Sequence, residues 1–321
     1  MLMRMLVLGS AALVGCGDNT VRLPWGTGIA TFDAVELELT PSVPADPFAT
    51  GIAPTTRLVL PTYDGSGQVV HPDVLFERDA GRVLMAMTPY PDSNDRFENP
   101  SLLVSEDGTA FHELIEGQNP LVAAPPIDHN DDPDLHRDPV TGEYRLFYLE
   151  TLRPTAQNLV LLRSPDLVAW TSEPAIRYDL TQGAPFIVSP AAVVKDATTH
   201  LFYVHLGEPN LIETLASSDG LTWDAAQAHP IELELGDVTP WHLDVFACPS
   251  GYAMLISGYP DEFSYQHLYL ATSPDLATWT LRPSPLLAYD DPALEVDTLY
   301  RSTGLVLGNQ LVVWHSMRYR D

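Results

Sequence analysis

Cysteine is almost absent from this chain: Cys16 and Cys248 are the only two among 321 residues. Two cysteines so far apart, one of them near the N-terminus, give no disulfide framework for the fold. Cys248 reads as a structural thiol beside Val245, Phe246 and Ala247, with no neighbouring base to make it a nucleophile. Basic residues are scarce as well. Sixteen Lys and Arg stand against 43 Asp and Glu, a formal charge of −27. Phosphate recognition needs a basic face, so nucleic acid is excluded as a partner. The acidic residues are scattered and mostly describe a solvated surface. A long amphipathic helical pattern is missing, which excludes a helical domain. Gly-x-Ser-x-Gly is missing too, and Gly65-Ser66-Gly67 is a plain turn, so no nucleophilic serine is signalled. What remains is 45% hydrophobic residues with 29 prolines and 20 glycines, enough for a large core interrupted by many tight turns.

The turns recur. Ser105-Glu106-Asp107-Gly108 precedes Phe111, and the same plan returns as Ser164-Pro165-Asp166 before Trp170, Ser217-Ser218-Asp219 before Trp223, and Ser273-Pro274-Asp275 before Trp279. The aspartates are 53 to 59 residues apart and the aromatic always follows four later. A repeat of this length built from short strands marks a radial array of four-stranded sheets. The expected fold is all-β, a five-bladed β-propeller over residues 31–321. Its last blade takes two strands from Leu299–Leu307 and Gln310–Ser316 and its outer strands from between residues 31 and 63. Asp107, Asp166, Asp219 and Asp275 cap hairpins, and the tryptophans pack between blades.

Ahead of the propeller, Arg4 and the apolar run Met5–Val14 have the shape of a secretory signal, too short to span a bilayer. Leu13-Val14-Gly15-Cys16 resembles a bacterial lipobox, which implies cleavage before Cys16, a lipid on that cysteine and a tether over 16–30. An ordinary signal peptide with an incidental cysteine is the alternative. The expectation is a monomer in the bacterial cell envelope, periplasmic or surface-exposed, touching membrane only through the lipid.

Antiparallel order within each blade puts the inner-strand starts and the second-to-third-strand loops on one face. That face collects His71, Asp73, Asp131, Asp132, Asp134, Ser189, Trp241, His242, Asp244, Tyr300 and Arg301, with loops holding Glu98, Asn99, Glu150 and Glu208. The opposite face carries short turns, so the charged face is the binding face. Period-two alternation gives His71 and Asp73, Asp132 and Asp134, and His242 and Asp244 common directions. Carboxylates crowded around one axis raise one another's pKa unless His71, His242 or Arg301 compensate, and carboxyls in different environments suit general acid and base catalysis. Tyr90, Trp241, Tyr259, Tyr265 and Tyr319 offer faces for stacking sugar rings, or plain loop packing. His242 reads equally as a core histidine. An axial Ca or Na ion is possible where acids and a histidine converge, but no recognised ligand spacing signals a metal and no cofactor is required.

The hairpin motif and the Pro-flanked residues opening the inner strands resemble the five-bladed propellers of glycoside hydrolase family 43 and its relatives, over residues of about 60–321. The resemblance implies inverting hydrolysis of glycosidic bonds by an aspartate base on the first blade, a pKa-modulating aspartate on the second and a glutamate acid on the third. Asp73 then becomes the base, although His71 takes the place directly before proline. Asp132 matches the modulator by position and Asp134 by repeat register, and Arg301 fits the arginine that supports it. The third blade has Ser189 and no glutamate, so Glu98 becomes the substitute acid, with Glu150, Glu208 and Asp244 as competitors. An inverting pair stands about 6.5–9.5 Å apart. His71, Asn99, Asp132, Glu150, Trp241, His242, Asp244, Tyr300 and Arg301 make up the substrate-binding set. Asp73 and Asp134 have a second reading as holders of backbone amides. The alternatives to a glycosidase are a carbohydrate-binding lipoprotein without catalysis and a protein-interaction platform.

Overall fold

A computed structural model of the chain describes residues 2–7, 56–248, 250–260, 266–288, 296–307 and 310–319. Cys16, the tether over 16–30 and residues 31–55 lie outside the described residues, as does Tyr265.

The sequence folds into antiparallel sheets because each apolar run is short, rich in branched and aromatic residues, and closed by a turn. Two segments precede the repeats: β1 (Leu2–Val7) and β2 (Thr56–Arg57). The first sheet is β3 (Val69–Glu77), β4 (Arg82–Pro89), β5 (Ser101–Ser105) and β6 (His112–Glu113). The second is β7 (His129–Arg137), β8 (Tyr144–Leu152), β9 (Ala156–Ser164) and β10 (Thr171–Asp179). The third is β11 (Phe186–Lys195), β12 (Thr198–Leu206), β13 (Leu211–Ser217) and β14 (His229–Pro230). The fourth is β15 (Thr239–Cys248), β16 (Gly251–Tyr259), β17 (His267–Ser273) and β18 (Thr280–Leu281). In each, the strands are hydrogen-bonded in chain order. The arrangement is a β-propeller, with four complete blades of consecutive strands against the five expected.

The remaining hairpin, β19 (Val296–Leu307) and β20 (Gln310–Tyr319), is extended by β1 and then β2. Here the structure differs from the sequence reading, which drew the outer strands from residues 31–63. Leu2–Val7 pairs antiparallel with Val312–Met317 instead, and of the expected segment Thr56–Arg57 contributes the outermost strand. The apolar period that reads as a leader is equally a strand pattern, and β20 offers it an unpaired edge. The outer strands β6, β14 and β18 are two residues long. Their surroundings are exposed and broken by Pro120, Pro283, Pro285 and a 3-10 turn at Ala225–Gln227, so little burial rewards continued pairing.

Innermost strands β3, β7, β11, β15 and β19 contact one another in sequence, and β19 also contacts β3. Five apolar clusters fill the gaps between neighbouring sheets. One joins Leu84 and Ala86 to Leu146 and Leu162, and another joins Met85 and Leu103 to Val312 and Trp314. Trp223 meets Phe147 edge-on at 5.6 Å, and Trp279 meets Phe202 in the same way at 5.6 Å. Among the described residues no helix is long and apolar enough to cross a membrane.

The hairpin motif has a common geometry. Asp107, Asp166, Asp219 and Asp275 each accept two backbone amides through Oδ1, at 2.7–3.0 Å. The next residue is left-handed in every copy: Gly108, Leu167, Gly220 and Leu276 have φ of 72°, 65°, 66° and 69°. The capped amides hold the Asp219 carboxyl below its ordinary range. Its contribution is therefore full above the unfolded carboxylate pKa of about 4 and lost as pH falls through the depressed folded value. Asp219→Ala should lower the melting temperature by a few degrees at pH 7, and the gap from wild type should narrow below about pH 3. Equal gaps at both pH values in a thermal melt would contradict the capping role.

Candidate active site at the propeller axis

The inner strands all break their pairing at the same place. Register shifts fall between Val70 and Asp73, Asp131 and Asp134, Val188 and Ala191, Pro240 and His242, and Leu299 and Ser302. Such bulges re-aim side chains near functional sites. In three blades the bulge holds a non-glycine residue directly before proline in the left-handed region: His71 (φ 53°), Asp132 (φ 49°) and Ser189 (φ 54°). Each such conformation costs of order 1–3 kcal/mol and persists only where its surroundings impose it.

The bulges divide the axial residues into two levels. At the first, ligand atoms of His71, Asp132 and His242 lie within 4.8 Å of one another. Asp132 is the hub. Its Oδ1 accepts from Arg301 Nη1 at 3.0 Å and stands 3.6 Å from His71 Nε2 and 3.5 Å from His242 Nδ1, while Oδ2 accepts the Ser189 amide at 2.9 Å. Burial works to raise Asp132, but His71, His242 and Arg301 overcome it and hold the carboxyl well below the usual range. Burial pushes the imidazoles down, His71 to about 3 and His242 to about 4, against the pull of Asp132. Ser189 Oγ sits 2.6 Å from His242 Nδ1.

Glu98 joins this level from the loop before β5. It is 3% exposed, and its Oε2 lies 3.1 Å from His71 Nδ1 and 3.4 Å from Thr88 Oγ1. Burial, then Asp131 and Asp132, raise its carboxyl well above the ordinary value. Neighbouring Asn99 locks the loop. Its amide donates to Tyr63 Oη at 3.1 Å and its Oδ1 accepts from Asn130 at 2.8 Å. Over the imidazoles lies the Tyr300 ring, 4.5 Å from His242 and 5.2 Å from His71, with Tyr90 stacked beyond it at 6.5 Å.

At the second level Asp73, Asp134 and Asp244 bring carboxylate oxygens within 4.8 Å of one another. Each staples its blade to another inner strand. Asp73 accepts from Leu135 N at 2.6 Å, Asp134 from Ala192 N at 3.1 Å and Asp244 from Gly304 N at 3.2 Å. Thr303 continues the series by bonding the Val74 amide at 3.2 Å. Burial and the mutual repulsion of Asp73 and Asp134 raise Asp73 well above its ordinary value; burial raises Asp244 to about 6, against Arg301. His71 and Asp132 lie within their bulges and reach one level, with Asp73 and Asp134 just beyond at another; His242 and Asp244 follow the fourth blade's bulge in unbroken register and reach the two levels by their two-residue spacing.

Of the other sequence candidates, Trp241 lies at the edge of the first level, its ring 5.9 Å from His242 and 6.3 Å from Tyr259. Glu150 is not brought in; it accepts from Asn158 at 2.6 Å on β8. Glu208 is exposed on its loop. His129 was not singled out by the sequence. It is buried, with Nε2 2.8 Å from Asp131 Oδ2 and Nδ1 2.8 Å from Asp128 Oδ1, and Arg153 closes the group from outside. A signal was present: β7 reads HNDDPDLHR and is buried over its first eight residues, and buried polar runs demand partners.

No protein-family model matches the chain, and no curated protein sequence does. Solved structures do resemble it. An N-acetylgalactosamine deacetylase from F. plautii, solved with blood group B trisaccharide, superposes with a TM-score of 0.65 at 23% identity, over 77% of this chain and 79% of that one. A thermostable family-43 glycoside hydrolase gives 0.53 at 13% identity, over 74% and 84%. An α-L-arabinanase of Cellvibrio cellulosa gives 0.52 at 12%, over 77% and 86%. At such identities the likeness establishes the fold. The chain has the β-propeller architecture found in glycoside hydrolases and in a sugar deacetylase.

Proposed function

We propose that this chain is a carbohydrate hydrolase whose reaction centre is the axial group of His71, Asp132, His242 and Glu98, completed by a divalent cation. One observation carries the reading. With His71 Nδ1 beside Glu98, Nε2 is turned toward Asp132 Oδ1 at 3.6 Å and makes no hydrogen bond among the described residues. Two electron-rich atoms face each other in a buried site, and His242 Nε2 is likewise without a partner. An electropositive centre between them satisfies all of these atoms. A carboxylate behind the far nitrogen of a ligating histidine is the usual outer support of such a centre. The donor set, two imidazoles and one carboxylate, suits a borderline transition ion better than calcium.

When bound, such an ion polarises a carbonyl oxygen and activates water. The protein's own groups do the rest. Glu98 is placed to exchange a proton beside His71, Arg301 keeps Asp132 ionised and oriented, and Tyr300 and Tyr90 present ring faces for a sugar. An N-acyl group on an amino sugar is the bond this set fits first. The ring positions that would carry base and acid in a family 43-type glycosidase hold His71 and Ser189, and the similar F. plautii structure acts on an N-acetylated sugar. A second reading, glycosidic hydrolysis, is supported by the opposite tuning of Glu98 and Asp132 with His71 between them and by the glycosidase neighbours. Asp73 and Asp134 then act as inter-blade staples. We count β19, β20, β1 and β2 as the fifth blade. Envelope attachment through Cys16 and a fifth blade completed by β1 exclude each other, because cleavage there removes Leu2–Val7; intact mass of the native protein decides between them.

Acetate release from N-acetylated amino-sugar oligosaccharides, and reducing-sugar release from arabinans, xylans and galactans, separate the readings. Acetate release should fall at least about a hundredfold after chelation and return with Zn²⁺ or Mn²⁺. Reducing sugar alone, indifferent to chelator, selects the glycosidase. Binding without any turnover selects a binding protein.

A further inference from the structure

A second hollow lies between the second and third blades, outside the axial cluster. It has a volume of about 400 Å³ and is lined by Arg177, Tyr178, Tyr203, His205 and Glu213, with Pro185 and four alanines as its apolar part. Its place follows from the strand register. His205 lies opposite Ile187, two residues before Ser189, and Glu213 lies opposite Tyr203. The hollow therefore opens at the same end of the blade as the axial cluster. Arg177 and Tyr178 line it from β10 of the second blade, and Tyr203, His205 and Glu213 from β12 and β13 of the third, one to two strand spacings, or roughly 5–10 Å, outward of β11.

Its lining suits a neutral polyol. Arg177 is exposed and donates to Asn158 at 3.2 Å, and His205 Nδ1 meets Glu213 Oε1 at 3.1 Å. One cationic and one anionic side chain leave no net charge for an ionic ligand. Tyr178 is 3% exposed, and its hydroxyl is tied to that of Tyr203, which is tied in turn to Glu213, so a connected row of polar groups lines the hollow. A tyrosine hydroxyl can donate one hydrogen bond and accept others, so this row keeps capacity for ligand hydroxyls in the hollow. Alanines in place of larger residues leave room beside the tyrosines, and a sugar ring has the matching apolar faces and polar edge.

We infer that this hollow is a sugar-binding subsite that holds one residue of a glycan whose neighbouring unit occupies the axial centre. The inference rests on the proposed carbohydrate reading and adds to it a preference for chains of two or more units. In the subsite, Glu213 and His205 bond ring hydroxyls, Tyr178 bonds a third, and Arg177 closes the outer edge.

Graded oligosaccharides of one to six units, from the N-acetylated amino-sugar, arabinan and xylan series, are the probes. Wild type, Glu213→Gln and Tyr178→Phe are compared for binding by calorimetry and for turnover. Both substitutions are conservative, and melting temperatures within about 2 °C of wild type check the fold. Wild type should bind the longer members of one series at least tenfold tighter than the monosaccharide. Each variant should lose about five- to tenfold on the longer members, in Kd and in KM, while the monosaccharide is unaffected. No length dependence in wild type overturns the subsite, and so do equal losses at every length. Length-dependent binding without any turnover overturns the axial reading and leaves the subsite standing. Turnover of monosaccharide-sized substrates with no gain on lengthening does the reverse.

Discussion

Asp132→Ala should cost the protein about 3–5 kcal/mol, because it strands a buried guanidinium. Arg301 is wholly buried; among the described residues its side chain bonds Asp132 through Nη1 at 3.0 Å and the Pro190 carbonyl through Nη2 at 3.4 Å, and Asp132 is the largest of the charges that favour its charged form. The same change removes the acceptor of the Ser189 amide and the counter-charge between two histidines. Set against a typical total of about 5–15 kcal/mol, a loss of this size brings a domain close to unfolding. Urea denaturation reads it directly. A second variant isolates the cause: with Arg301→Met added, a large part of the lost stability should return, because a buried pair replaced by apolar residues is often neutral. A single variant within about 1 kcal/mol of wild type would show that the pair behaves like a surface bridge and is no hub.

Glu98→Gln should do the opposite: keep the fold and remove the reaction. Glutamine preserves the shape of Glu98 and its bond to Thr88, and it removes a charge that burial penalises. The variant should therefore be at least as stable as wild type in the same urea titration. Turnover should fall by about 10²–10⁴-fold, the usual worth of a positioned proton-transfer group. Asp73→Asn makes the contrast. Its oxygen can still accept the Leu135 amide at the place now held at 2.6 Å, so turnover should change by less than about tenfold. If Asp73→Asn is the dead variant and Glu98→Gln the active one, the assignment of the two levels is wrong, and the base belongs one level along the axis.

The repeat of Ser-x-Asp before an aromatic was legible because hairpin caps are local. Asp219 bonds amides two and three residues away, and no tertiary contact is needed for that. The binding face was legible for a related reason: antiparallel order decides which strand ends lie together. The source of the strand beside β20 was not, since an apolar segment pairs with whichever edge is free, and Leu2–Val7 met β20. Glu98 was reachable from its place before a third strand; His129 was passed over although Asp128 and Asp131 stand one and two residues away, because the burial of that group and the approach of Asp95 and Arg153 exist only in the folded chain.

The amino-acid sequence by itself determined an all-β repeat with hairpin caps, one polar face, and a set of acidic and histidine side chains at the starts of the inner strands. Only the tertiary structure decided how those side chains sort. Bulges in the first two blades separate His71 from Asp73 and Asp132 from Asp134, so Asp132 meets Arg301, His71 and His242, while Asp73, Asp134 and Asp244 hold backbone amides of other blades. Alternation is a property of one strand and can be read from one strand. The level a side chain reaches on the axis depends on the bulge and on the neighbouring blade, and both exist only once the ring has formed.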